Sequence, residues 1–203
     1  KPSLPVTLTD VQGTKVKVTD TSRVLALDLY GTLARTVFEL GLGDQLVGRS
    51  ISSDFKEIKS LPLVTHNGHE LNAESILDLD PTLVITDTSL GPWDVILQLR
   101  DAGIPVVVTD PKRSLDNVAE ITNQVAEALG VPAAGKELVD RINTESTAVK
   151  AKIAKVSAKS IAEAPRTVFI YARGGAGVYH LFGEGTGADS LIEALGLYDV
   201  AKE

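Results

Sequence analysis

Apolar positions along the chain follow two periods. Residues 5–19 (PVTLTDVQGTKVKVT) alternate polar and apolar around Gln12-Gly13, which predicts a hairpin with a short turn. Val24–Leu27 is an unbroken apolar run, as in a strand covered on both faces. Leu33, Val37, Phe38 and Leu40 then recur at helical spacing, and Gly41 and Gly43 end that helix. Leu46-Val47-Gly48 reads as a short strand, and the polar stretch from Ser50 to Ser60 as a loop or short helix. Asn72 is placed to cap a helix that runs through Ile76 to Leu79 and stops at Pro81. Thr82–Thr86 is a predicted strand. Pro92–Ala102 is a predicted helix with Val95, Ile96 and Leu99 inward, and Val106–Val108 a further strand. Ser114 is the expected cap of a helix that reaches Leu129, with Gly130 at its end. Strands alternating with helices predict a largely parallel sheet.

Residues 136–163 differ in kind. Leu138, Ile142, Val149, Ile153 and Val156 repeat at helical intervals with no Gly or Pro between them. That predicts one helix about 42 Å long at 1.5 Å per residue. Such a length exceeds what a compact domain of this size needs, and points to a rigid connector between two lobes. Beyond it, Thr167–Ala172 and Val178–Phe182 read as strands and Ala188–Leu197 as a helix. The expectation is an α/β protein of two lobes: a first lobe at 1–135, a connecting helix at 136–163, and the start of a second lobe at 164–203. Forty residues cannot bury enough surface to fold alone, so the second lobe is expected to be truncated.

Composition narrows the function. Hydrophobic residues make up 43% and charged residues 23%, enough apolar side chains for a core and no run long enough to span a membrane. A net charge of -7 argues against nucleic acid as a partner. The absence of cysteine excludes disulfides, thiolate metal sites and cysteine nucleophiles. Methionine is absent even at position 1, so the chain is expected to begin inside a longer gene product.

Four segments are candidates for chemistry. Asp28-Leu-Tyr30-Gly31-Thr32 follows the first buried strand and resembles the nucleophile motif of haloacid-dehalogenase-type hydrolases. Thr109 and Lys112 can stand for two further parts of that machinery, but no later strand ends in the acidic pair it needs. A plain strand-to-helix turn is the competing reading. Gly183-Glu-Gly185-Thr-Gly187 lacks dinucleotide or P-loop spacing and reads as a turn into a helix N-terminus, able to hold an anion weakly. His66-Asn-Gly-His69-Glu70 carries two of the three histidines, either solvated or ligands for a metal or haem. Tyr171-Ala-Arg173 ends a strand, where residues two apart share a face. A guanidinium beside a phenol favours the phenolate, a hard ligand for ferric iron. The alternative is a packed tyrosine with a surface arginine.

Taken together, PVTLTDVQGTKVKV, LPLVTHNGHELNAESILDLDPTLVI, the long helix and TVFIYARGGAGVYHLFGEGTGADSLIEALG resemble the haem-binding lipoproteins of bacterial haem ABC importers, especially the actinobacterial type. Asn72, Glu74 and Pro81–Ile85 resemble the wider superfamily of helical-backbone substrate-binding proteins, which includes siderophore and cobalamin carriers. The resemblance implies that the protein is not an enzyme. It implies capture of haem outside the cytoplasm in an inter-lobe cleft and delivery to an ABC transporter permease. By the same resemblance His69 and Tyr171 are the axial ligands of the haem iron and Arg173 hydrogen-bonds the phenolate. Tyr30 contacts ligand, and Glu74 docks on the permease. A lipid anchor ahead of residue 1 is implied, and a dimer formed through the incomplete second lobe is an open outcome. The alternatives are a ferric-siderophore or cobalamin carrier, or the hydrolase using Asp28.

Overall fold

The structure, a computed structural model, describes residues 1–157, 160, 162–173, 175 and 177–202, with Arg173 described by its backbone alone. The chain divides into two compact units. The first comprises Lys1–Pro111 and Glu120–Leu138, the second Lys112–Ala119 and Val139–Glu203.

The first unit is built on three parallel strands, β3 (Val24–Leu27), β6 (Leu83–Thr86) and β7 (Val106–Val108), in the order β3-β6-β7. Every residue of these strands is buried, because both faces of the sheet are covered. Val24, Ala26, Leu83, Ile85 and Val107 face one core. Into that core pack Leu33 and Val37 of α1 (Thr32–Val37), and Ile121 and Val125 of α4 (Val118–Ala128). Leu8 of β1 (Val6–Thr9) and Val16 and Val18 of β2 (Lys15–Val18) complete it. Leu25, Leu27, Val84, Val106 and Val108 face the opposite core. There they meet Ile76 of α2 (Ala73–Leu77) and Val95, Ile96 and Leu99 of α3 (Trp93–Asp101). Full burial of each such aliphatic side chain is worth about 1.5–3 kcal/mol, so this two-sided sheet carries the stability of the unit.

Local chemistry sets the edges. β1 and β2 pair antiparallel, Val6 opposite Val18 and Thr9 opposite Lys15. Asp10 closes their turn by accepting from the N–H groups of Gln12 and Thr14 at 3.0 and 2.8 Å. Asn72 caps α2, its Oδ1 accepting from the Ser75 N–H at 2.8 Å.

Several boundaries differ from the sequence expectation. Leu46-Val47-Gly48 forms only an isolated bridge, Leu46 to Val24, and the next pairing on the segment, at Arg49, is with Leu63 instead. Ser114 does not cap α4. Asn117 accepts from the Ser114 N–H at 3.0 Å, and the helix begins at Val118. The long helix α5 is Pro132–Ile153 rather than 136–163. It starts earlier because Pro132 supplies a preset φ and lacks an N–H that the first turn would leave unbonded. Past Ile153 the Lys155 and Val156 N–H groups bond to the Lys152 and Ile153 carbonyls, three residues back, at 3.2 and 2.9 Å, so the chain tightens into turns and the helix ends.

In the second unit β8 (Arg166–Thr167) pairs in parallel with β11 (Tyr198–Asp199). α6 (Ala188–Ala194) buries Ala188 and Ile192. β9 (Phe169–Arg173) and β10 (Val178–Phe182) form an antiparallel hairpin. Ile142, Val149 and Ile153 of α5 line an apolar cavity of about 330 Å³ with Leu191 and Leu195. The covering surface that the sequence pattern asks for at Ile170, Val178 and Leu181 is absent among the described residues, since all three are exposed.

Candidate functional site

In the first unit the chain leaves the carboxyl ends of the parallel strands through short polar turns, the usual location of a ligand site in an open α/β sheet. After β3 comes Asp28, fully buried. Its carboxylate accepts from the N–H groups of Thr32 and Leu33 at 3.1 and 3.2 Å and so closes the start of α1. A carboxylate with no exposed surface, committed to a helix N-terminus, is a structural group. Thr109, also fully buried, donates to the Thr86 carbonyl at 3.3 Å. Neither is presented to a substrate, which accounts for the hydrolase-like motif without catalysis. Tyr30, two residues on, is half exposed on the rim.

Gly31 brings this turn against a second segment. Its φ is +74°, and a Cβ there would lie 2.6 Å from the Ser52 carbonyl oxygen. Ser50 and Ser53, both buried, hold that segment: the Ser50 hydroxyl donates to the Asp28 carbonyl at 3.3 Å and lies 3.2 Å from the Ser53 hydroxyl. The Ser52 hydroxyl in turn lies 3.4 Å from Nδ1 of His69.

His69 sits at the tip of a hairpin formed by β4 (Thr65–His66) and β5 (Glu70–Leu71). The sequence pattern suggested a plain loop here. The two-residue strands are too short to show a periodicity, and positive φ at Asn67 and Gly68 makes the turn. Both histidines are exposed but differ in their partners. Nε2 of His66 lies 3.2 Å from the Ser75 hydroxyl, whereas His69 meets Ser52 through Nδ1 and no described residue meets its Nε2. An outer-shell partner on one ring nitrogen orients the other toward a metal. Glu74 is exposed in the first turn of α2, two residues after its cap.

In the second unit Tyr171 lies on β9, 48% exposed. Its ring stacks on His180 of β10, with centroids 6.1 Å apart and planes at 28°. Position 173 shares Tyr171's side of the strand by register, while the Arg173 side chain lies outside the described residues. The Gly183–Gly187 turn is not an anion site. Asp189 fills it, accepting from the Gly185 N–H at 2.8 Å and the Gly187 N–H at 3.1 Å. The Gly185 N–H foremost holds this carboxyl below its ordinary range. Among the described residues no three His, Cys, Asp or Glu side chains converge on a metal site.

Sequence reasoning missed Ser52, Ser75 and His180. Ser52 and Ser75 carry no pattern of their own. His180 was visible only as the residue opposite Tyr171, and that requires the hairpin register.

A family model described as periplasmic binding protein matches residues 28–203. Among solved structures, heme binding protein HmuT superposes with a TM-score of 0.93 at 42% identity, over 99% of this chain and 64% of that one. Structures also exist of its variants in which a histidine, a tyrosine, or an arginine two positions after that tyrosine is replaced by alanine. The periplasmic heme-binding protein RhuT from Roseiflexus sp. RS-1 superposes with a TM-score of 0.77 at 32% identity, over 88% of this chain and 65% of that one. An ABC transporter substrate-binding lipoprotein of Bacillus subtilis is 27% identical over 156 residues, 75% of this chain and 49% of the relative. A vitamin B12-binding protein of Vibrio parahaemolyticus is 30% identical over 131 residues, 64% of this chain and 46% of the relative. The chain thus spans about half the length of these curated relatives.

Proposed function

The chain belongs to the periplasmic binding protein family, and we propose that the protein it represents carries haem outside the cytoplasm to an ABC transporter permease. The observation that carries this reading is His69: exposed at a hairpin tip, with Nδ1 engaged by Ser52 and Nε2 directed elsewhere. The likeness to HmuT supports haem as the ligand. Tyr171, exposed on β9 with an arginine two residues later, matches the tyrosine–arginine spacing of the HmuT variants.

In this reading His69 from the first unit and Tyr171 from the second are the axial ligands of the haem iron. The porphyrin supplies the four equatorial nitrogens, so one donor from each unit is enough. Arg173 favours the phenolate form of Tyr171. Tyr30 lies on the same rim as Ser52 and contacts the porphyrin. Glu74, away from the ligand on an exposed helix start, docks on the permease, and a lipid anchor ahead of residue 1 keeps the protein at the membrane. The exposed apolar face of the β9–β10 hairpin supports self-association, which light scattering tests.

Titration with ferric haem tests the central claim. A Soret shift that saturates, and that His69→Ala and Tyr171→Ala each alter or abolish, is the expected result. The second reading, a cobalamin carrier, is favoured by the likeness to the vitamin B12-binding protein. Binding of cyanocobalamin with no Soret change on adding haem would establish it in place of the first.

A further inference from the structure

Tyr171 and His180 are a directly opposed pair of the β9–β10 hairpin. Opposed residues of an antiparallel pair project from the same face. Their rings lie nearly parallel, 28° apart, with centroids separated by 6.1 Å, and both are exposed. This face therefore presents a phenol and an imidazole side by side. An imidazole nitrogen is a good donor to haem iron, and so is a tyrosine oxygen.

We infer that His180 is a second iron donor on this face, which takes the ferric iron when the Tyr171 phenolate releases it. The inference rests on the reading of Tyr171 as an iron ligand. Tyrosine is the longer of the two side chains on this shared face, so arriving iron meets the phenol first. With the ring centroids 6.1 Å apart, the haem passes from the phenol to the imidazole by shifting across the hairpin face by about that distance while it settles toward the sheet. In the exchange one iron–oxygen bond breaks, one iron–nitrogen bond forms, and the phenolate takes a proton from solvent. The iron stays ferric. Haem is thereby held on the hairpin while tyrosine ligation is lost, as loading or release demands.

Ferric haem is added to the wild-type chain, Tyr171→Phe, His180→Ala and the double variant, and the spin state is read by absorption and electron paramagnetic resonance. Phe keeps a ring against His180, and far-UV circular dichroism checks that each variant folds. Tyr171→Phe is expected to lose the phenolate charge-transfer band and become low-spin, with two nitrogen ligands. The double variant is expected to lose that low-spin signal and return to high spin. Identical high-spin spectra for Tyr171→Phe and the double variant would overturn the His180 assignment while leaving Tyr171 a ligand. A wild-type spectrum that Tyr171→Phe leaves unchanged would overturn the reading of Tyr171, and the role of His180 with it.

Discussion

Replacing Gly31 by alanine should both destabilise the first unit and disturb the surroundings of His69. The residue sits at φ +74°, where an L side chain costs roughly 1–2 kcal/mol. The new Cβ would also lie 2.6 Å from the Ser52 oxygen, 3.0 Å from its carbonyl carbon and 3.3 Å from the Ser53 Cα. All three are backbone atoms, so no side chain can swing aside, and forcing a methyl group into packed surroundings costs about 1–3 kcal/mol. Restricting the unfolded chain returns about 0.4–1 kcal/mol. The net loss is about 1–5 kcal/mol, about 3 at the centre of these ranges. Gly13→Ala provides the control, because Gly13 has nearly the same φ, +78°, and nothing within 4 Å of its ideal Cβ. Its loss should be only about 1 kcal/mol, the left-handed term less the unfolded-state term. Guanidinium denaturation followed by circular dichroism measures both. The difference isolates the contact with Ser52. Since Ser52 is also the partner of His69, Gly31→Ala should weaken the haem titration and Gly13→Ala should not. Equal losses of stability in the two variants would refute the steric argument.

Two further outcomes follow from the second helix and the glycine turn. Asn72→Ala should lower stability by about 1 kcal/mol through loss of the cap, while Glu74→Ala should change it by no more than a few tenths. Uptake assays on the full-length protein should show the opposite order, with Glu74→Ala the more damaging; wild-type uptake would leave Glu74 an ordinary helix charge. Asp189 is held below its ordinary pKa by the Gly185 N–H first, and by the Ser190 and Gly187 N–H groups and Lys202. A depressed carboxyl stabilises fully above its unfolded value of about 3.9 and loses that contribution as pH falls through the folded value. Protection of the Gly185 and Gly187 amides from exchange should therefore persist near neutrality and fall in acid, with Asp189→Asn removing the dependence. Protection in the wild type that does not change between neutral and acid would contradict it.

Much of the fold was legible in the chain because burial leaves a local trace. Val24–Leu27, Leu83–Ile85 and Val106–Val108 are continuous apolar runs since both sheet faces are covered, and Val95, Ile96 and Leu99 repeat at helical spacing since one face of α3 is. Asn72 announced its helix because a cap acts on amides two or three residues away. Contacts between distant segments leave no such trace. The Asp28 motif looked like a nucleophile until the fold buried it against the start of α1. The Gly183–Gly187 turn looked open to an anion until Asp189 was found in it. Ser52 reaches His69 only because Gly31 lets two turns close on each other, and His180 reaches Tyr171 only through the register of a hairpin. Periodicity reports which side of an element is covered. Which side chains meet depends on register and packing, and those are set by the whole tertiary structure.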